Sequence, residues 1–388
     1  MHEETNYYGP TAARKNLRPG REIRPASITI NMHSHVLVPE ADAFVQPHLD
    51  LSTIPLAHFA TPNTQALNRK QEADRRPQLT DVEARLADMD ATGVDMQIVM
   101  PPPSQCYYTV PQEIGIKAAR IVNDGIAEFV SQRPDRFAAL GTVPMQNGTG
   151  ALEELDRCVN VLGFKGVQIL TNVAGIELSD AAYDSFWAKA EGLGAVVLIH
   201  PNGFTEAKRL SRFNFNNLIG NPLDTTLALH YLIFDGVLER HPNLKIIGAH
   251  GGGYVAAYSG RIDHAWGARS DCRGSLPQLP TTYLKRIYVD SVVYTPHQLE
   301  ALVRVFGADH VLMGSDYPYD MGDSDPIGHL ASLETLDPSD LAAIAGGNAK
   351  KLYSLQEVSN RTQVQETRQG FQARFGQNPS GGTTNSRR

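Results

Sequence analysis

SITINMHSH, residues 27–35, runs a short apolar stretch straight into a His-x-His pair. Residues two apart in an extended chain project to one face, so His33 and His35 share a face if this stretch is a strand. Alone, such a pair reads more simply as two hydrogen-bonded or exposed histidines. It gains weight because the arrangement recurs. AVVLIH (195–200) delivers His200 as its last residue, LKIIGAH (244–250) delivers His250, and HVLMGSD (310–316) delivers Asp316. SITIN (27–31), DMQIVM (95–100), FAALGTV (137–143), GVQIL (166–170) and IYVDS (287–291) bring the short apolar runs to eight. Each has the length and composition of a strand buried on both faces of a parallel sheet. Helix-like segments separate them, for example 81–92, 111–133, 149–162, 180–193, 224–240, 252–263, 295–306 and 338–354. This alternation predicts an α/β chain folded as a (β/α)8 TIM barrel rather than a doubly wound sheet. In a barrel the C-terminal strand ends form the rim of the active site. Four separate strands would then bring four histidines and a carboxylate around one small volume.

Such a nitrogen-rich set with one carboxylate suits zinc, or another divalent transition metal such as manganese, cobalt or iron, better than calcium or magnesium. The other histidines carry no such signal. His230, His241, His297 and His310 read as capping, surface or core residues, and His2, His48, His58, His264 and His329 stand at no strand end.

Composition sets the bounds. The chain has 388 residues, which one barrel of about 250 residues with insertions can absorb. A net charge of -7 and 41% hydrophobic residues describe a globular protein without the basic stripe that nucleic acid requires, so a small molecule is the expected partner. The polar start MHEETNYYGPTAARKN lacks a signal-peptide core, and no apolar run approaches the roughly 20 residues of a membrane span. Both point to the cytoplasm. The three cysteines, Cys106, Cys158 and Cys272, are odd in number and far apart, and suggest neither a disulfide framework nor a thiolate site. Residues 1–27 lack apolar periodicity and read as an N-terminal arm laid on the surface or on a partner subunit. Residues 356–388 are rich in Gln, Ser and Gly, which predicts a flexible tail. The barrel domain is expected over 28–355.

Several blocks in order carry a resemblance: NMHSH (31–35), EARLADMDATGVDMQIV (83–99), RFAALGTVPMQ (136–146), LGFKGVQI (162–169), LIHP (198–201), IGAHGGG (247–253), GSDYPY (314–319) and GGNAKKLY (346–353). Together they resemble the amidohydrolase-2 group of the amidohydrolase superfamily, and within it the 2-amino-3-carboxymuconate-6-semialdehyde decarboxylases. The resemblance implies a barrel of the metal-dependent hydrolase type with one divalent metal, usually zinc, on His33, His35, His200 and Asp316. It also implies that His250 is the acid/base and that the working unit is a homodimer or larger. Related decarboxylases of aromatic acids often carry glutamate at the position of His33, so the His-x-His form favours a conjugated, non-aromatic acid. Two arginines are implied for the substrate carboxylate: one matches Arg75 or Arg76, and the other, Arg269 in DHAWGARSD, reaches in from the neighbouring subunit. An arginine fork suits a carboxylate because it donates two parallel charged hydrogen bonds.

Two departures alter the pocket. The usual HPWD is here His200-Pro201-Asn202-Gly203, and an aromatic pocket position is replaced by Phe213 in RFNFNNLIG. The expected reaction is a non-oxidative, metal-dependent decarboxylation of a small carboxylic acid. A metal-dependent hydrolase acting on a C–C, C–N or lactone bond is the alternative on the same scaffold. An inactive binding or assembly homologue is the rival from another class, and the intact His33, His35, His200, His250 and Asp316 set argues against it.

Overall fold

The computed structural model describes residues 19–333 and 336–356. Residues 1–18 of the expected arm and 357–388 of the expected tail lie outside the described residues. The described residues up to Tyr353 form one compact unit, which ends at the boundary before Ser354.

Eight strands build the barrel of this unit: β1 Ile30–His35, β2 Met96–Met100, β3 in two pieces Phe137–Ala139 and Gly141–Thr142, β4 Gly166–Leu170, β5 Val196–His200, β6 Lys245–Gly248, β7 Ile287–Asp290 and β8 Val311–Leu312. Every neighbouring pair from β1–β2 through β7–β8 is parallel. The two pieces of β3 face different neighbours, the first β2 and the second β4. Leu140 joins them, its N–H donating to Val99 O at 2.9 Å. The cylinder closes where β1 meets the chain that follows β8. Met32 N donates to Met313 O at 2.9 Å and His35 N to Tyr317 O at 2.7 Å, beside a parallel bridge between Ser34 and Tyr317. The fold is a (β/α)8 barrel.

The strands are as apolar as a sheet covered on both faces demands. All of β2 and β5 is buried, and Ile98, Val99, Val197, Leu198 and Ile199 are wholly inaccessible. Helices cover the outside, among them Val82–Thr92, Gln112–Ser131, Asp184–Leu193, Asn221–Phe234 and Pro296–Phe306. Several of them start on side-chain caps that satisfy free N–H groups. Asp81 accepts from Ala84 N at 2.7 Å and Asn147, ahead of Gly148–Asp156, from Gly150 N at 2.7 Å. Between β1 and β2 the chain adds further helices, Pro39–Val45 and Pro62–Asp74 among them. The described end of the arm lies on the barrel: Gly20 N donates to Asp325 and Arg24 reaches Gly93 O at 2.8 Å while pairing with Asp95. No helix of the described residues is long and apolar enough to cross a membrane.

Candidate metal centre

His33 and His35 stand at the end of β1, where the register against β2 shifts between Asn31 and Ser34. Both are fully buried, and their rings meet edge-on with centroids 5.1 Å apart. His200 closes β5 and stands 5.0 Å from His33 and 5.3 Å from His35 by ring centroid. The other two groups are not strand residues, contrary to the expectation. β6 ends at Gly248, and His250 follows two residues later at φ 54°. β8 ends at Leu312, and Asp316 follows four residues later at φ 59°. Positive φ is costly for a residue with a Cβ, and its use at both positions turns the side chains back over the barrel mouth.

The five groups converge. Asp316 Oδ1 lies 2.9 Å from His35 Nε2, 3.3 Å from His33 Nε2 and 3.9 Å from His200 Nε2, and its Oδ2 lies 3.5 Å from His250 Nε2. His33, His200, His250 and Asp316 each offer one ligand atom within 4.8 Å of the others, and His35 Nε2 lies 3.2 Å from His33 Nε2. The outward nitrogens of three rings are engaged. His33 Nδ1 meets Asp290 Oδ2 at 2.7 Å, His35 Nδ1 meets Pro101 O at 2.9 Å and His200 Nδ1 meets Pro201 O at 2.7 Å. A carbonyl or carboxylate can only accept, so each Nδ1 carries a proton and the Nε2 lone pair points inward when the ring is neutral. His200 Nε2 is buried with no hydrogen-bond partner among the described residues, and so is His250 Nδ1.

Electrostatics agree with a set of inward lone pairs. Burial lowers His35 and brings His200 down to about 4, against the pull of Asp316. Both rings are therefore neutral at pH 7. His250 differs: burial pulls it down, but the hydrogen bond and charge of Asp316 and the charge of Asp290 raise it above the ordinary value. Burial pushes Asp316 up, yet the charge of His33 and the close approach of His200, His250 and His35 hold it well below the usual carboxylate range.

A cavity of about 470 Å³ opens over this centre, reaching His200, His250 and Asp316. Arg75, buried to 9% exposure, and Asn202 both line it. Arg76, Phe213 and Arg269 do not. Arg76 is exposed: Arg75 is the cap residue between the helix Pro62–Asp74 and the next, Arg76–Thr80, and the chain changes direction there. Phe213 is 67% exposed at φ 55°, a turn that throws its ring outward, and Asn214, Asn217 and Leu218 line the cavity instead. Arg269 is exposed and pairs with Asp271 at 2.6 Å. Two groups escaped the sequence reading. Asp290 ends β7 by the same pattern that singled out the candidate residues of the centre, and Tyr319, three residues beyond Asp316, stands 5.3 Å from the His35 ring.

The amidohydrolase family model matches residues 28–355. The 2-amino-3-carboxymuconate-6-semialdehyde decarboxylase of Dictyostelium discoideum is 35% identical over 71% of this chain and 77% of its own length. The crystal structure of 5-carboxyvanillate decarboxylase from Sphingomonas paucimobilis superposes with a TM-score of 0.73 at 25% identity, covering 85% of this chain and 100% of that one. The 5-carboxyvanillate decarboxylase of Novosphingobium aromaticivorans, solved with manganese and 4-hydroxy-3-methoxy-5-nitrobenzoic acid, superposes with a TM-score of 0.74 at 24% identity, covering 85% and 97%. With a match that takes in every strand of the barrel and every histidine of the centre, this chain belongs to the amidohydrolase family.

Proposed function

We propose that the protein is a metal-dependent, non-oxidative decarboxylase of a conjugated or aromatic-derived carboxylic acid, of the aminocarboxymuconate semialdehyde kind. One observation carries the reading: a buried arginine, a histidine with an unengaged nitrogen and a cluster of inward donors open onto the same cavity.

His33, His35, His200 and Asp316 are the proposed holders of one divalent ion. The tethers support that division among the histidines, because metal-binding imidazoles hand their other N–H to a carbonyl or carboxylate. His33, His35 and His200 do so, and His250 does not. Three nitrogens and one carboxylate favour zinc, with manganese, cobalt or iron as alternatives. Such an ion would polarise a substrate oxygen and stabilise charge that develops on the conjugated system.

The chain's own groups account for the remaining work. Arg75 is placed to hold the carboxylate, and Asn202 shapes the wall where a tryptophan is usual. As the bond to the carboxylate breaks, its electron pair stays on the substrate carbon and carbon dioxide departs. His250 then delivers a proton to that carbon, a role suited to an imidazole that Asp316 and Asp290 hold towards its protonated form.

Arg269 is proposed to act on the neighbouring subunit's cavity in a homodimer. Its exposure supports this, as do exposed Phe213, Leu218, Ile219, Tyr254 and Tyr258 on nearby stretches of the chain, an apolar set of the kind that subunit contacts cover.

A panel of conjugated and aromatic acids, offered to the metal-loaded protein in deuterated water, tests the reaction. Carbon dioxide and a product with deuterium in place of the carboxyl group are expected. Uptake of water without carbon dioxide would transfer the assignment to a hydrolase or hydratase.

A further inference from the structure

Asp290 is fully buried at the end of β7 and accepts four hydrogen bonds. Its Oδ2 takes His33 Nδ1 at 2.7 Å and the backbone N–H of His250 at 2.9 Å. Its Oδ1 takes the backbone N–H groups of Gly251 at 2.8 Å and Val292 at 3.1 Å. His250 and Gly251 are consecutive residues of positive φ, 54° and 64°. Successive N–H groups in such a turn point to one side and form a concavity that holds an anion. Here the anion belongs to the protein.

We propose that Asp290 is the positioning residue of the centre, its two oxygens fixing both the proton-bearing nitrogen of His33 and the turn that carries His250. The inference rests on the metal-centre reading above and adds a dependence to it: metal binding and proton delivery share one carboxylate. Only an ionised carboxylate offers acceptors at both ends. An asparagine has one oxygen and one NH2 group. If its oxygen stays with Gly251 and Val292, the NH2 faces the His250 N–H, donor against donor, and His33 Nδ1 must accept. The His33 proton then moves to Nε2, the atom aimed at His35 and Asp316, where its lone pair is lost to a metal. If the amide flips, two backbone donors lose their acceptor and the turn beneath His250 loosens.

Two measurements test this. The first compares Asp290→Asn with the wild type for zinc and manganese affinity by chelator competition, with folding checked by circular dichroism. Outer hydrogen-bond partners of metal ligands are worth about 10–100-fold in affinity, and a loss in that range is expected. At saturating metal, on any acid the panel identifies, kcat should fall further, about tenfold or more, while KM stays within about threefold. Folded Asp290→Asn that binds metal as tightly as the wild type would overturn the proposal. The second measurement needs no variant at position 290 that folds. In imidazole nitrogen-15 spectra of the metal-free wild type, with His33 assigned by its loss in His33→Gln, the neutral form of the ring should carry its proton on Nδ1. Protonation at Nε2 would overturn the proposal equally. A wild type that holds no ion would instead remove the metal-centre reading itself and leave the tautomer to be judged alone.

Discussion

His200 and His250 have ring centroids 4.9 Å apart and face the same carboxylate, yet their surroundings prepare them for different work. His200 gives its Nδ1 proton to Pro201 O and stays neutral; His250 leaves Nδ1 unengaged and is held towards the charged form by Asp316 and Asp290. His250→Asn should therefore keep about one metal per chain and normal folding while turnover falls on the order of a hundredfold or more. Elemental analysis beside a rate assay decides it, and loss of the ion would recast His250 as a ligand. The depressed pKa of His200 makes a separate prediction for the metal-free protein. Its folded value of about 4 lies below the ordinary 6.5, so the unfolded chain binds the proton first and stability drains away as pH falls from about 6.5 to about 4. Compared with His200→Gln, the metal-free wild type should lose up to roughly 3 kcal/mol across that window in urea titrations. Parallel curves for the two proteins would argue against it. All five groups of the centre were legible as residues, since each follows an apolar run. The backbone turns that aim His250 and Asp316 were not, because positive φ at a residue with a Cβ is imposed by tertiary contacts. Phe213 was misread for that same reason.

Among the elements, β4 matches its apolar run residue for residue, and β2, β5, β6 and β7 match theirs to within two residues at either end. β1 does not: the run reads SITIN (27–31), but the strand is Ile30–His35. Its second half is polar in composition and still completely buried, so hydropathy hides what is in fact the floor of the site. β8 is regular only at Val311–Leu312 because the chain then leaves the ladder to deliver Asp316. The helix Pro62–Asp74 has no buried residue, and without an apolar stripe there was no period to read. That part of the chain nevertheless carries Arg75 to the cavity. The glycine run after His250 is explained by its conformation. Gly253 adopts φ 67° and ψ -129°, and a Cβ there would stand 2.2 Å from Pro222 O and 2.6 Å from Thr226 Oγ1. Gly253→Ala should consequently cost about 1–3 kcal/mol in backbone strain, with displacement of the helix Asn221–Phe234 added. A urea midpoint unchanged from wild type would show that the turn can relax without this glycine.

For the molecule as a whole, closure of the cylinder between β1 and the chain after β8 brings residues 33 and 316 together across most of the barrel. Eight runs in the right order made that architecture legible, since alternating strands and helices of this length leave few other closures. An assembly is expected only through resemblance, because a surface residue such as Arg269 carries no hydropathy signal. In a single chain its guanidinium is exposed and paired with Asp271 two residues away, outside the cavity over the candidate centre. If it contributes to binding substrate, it must do so in another chain's cavity. The proposed shared site can be tested without knowing the interface in detail. Arg269→Ala and His250→Ala chains should each be inactive as homodimers, the first lacking its contribution to the neighbour's cavity and the second lacking its own proton carrier. When the two are mixed and allowed to exchange, a hybrid dimer contains one cavity with His250 from one chain and Arg269 from the other. Random pairing places about half of the molecules in that hybrid, and each hybrid has one intact site of two. Activity should thus recover to about a quarter of the wild-type value. Full inactivity after exchange has been verified by mass spectrometry would remove the shared site, and recovery from Arg269→Ala alone would show that the arginine has no part in turnover.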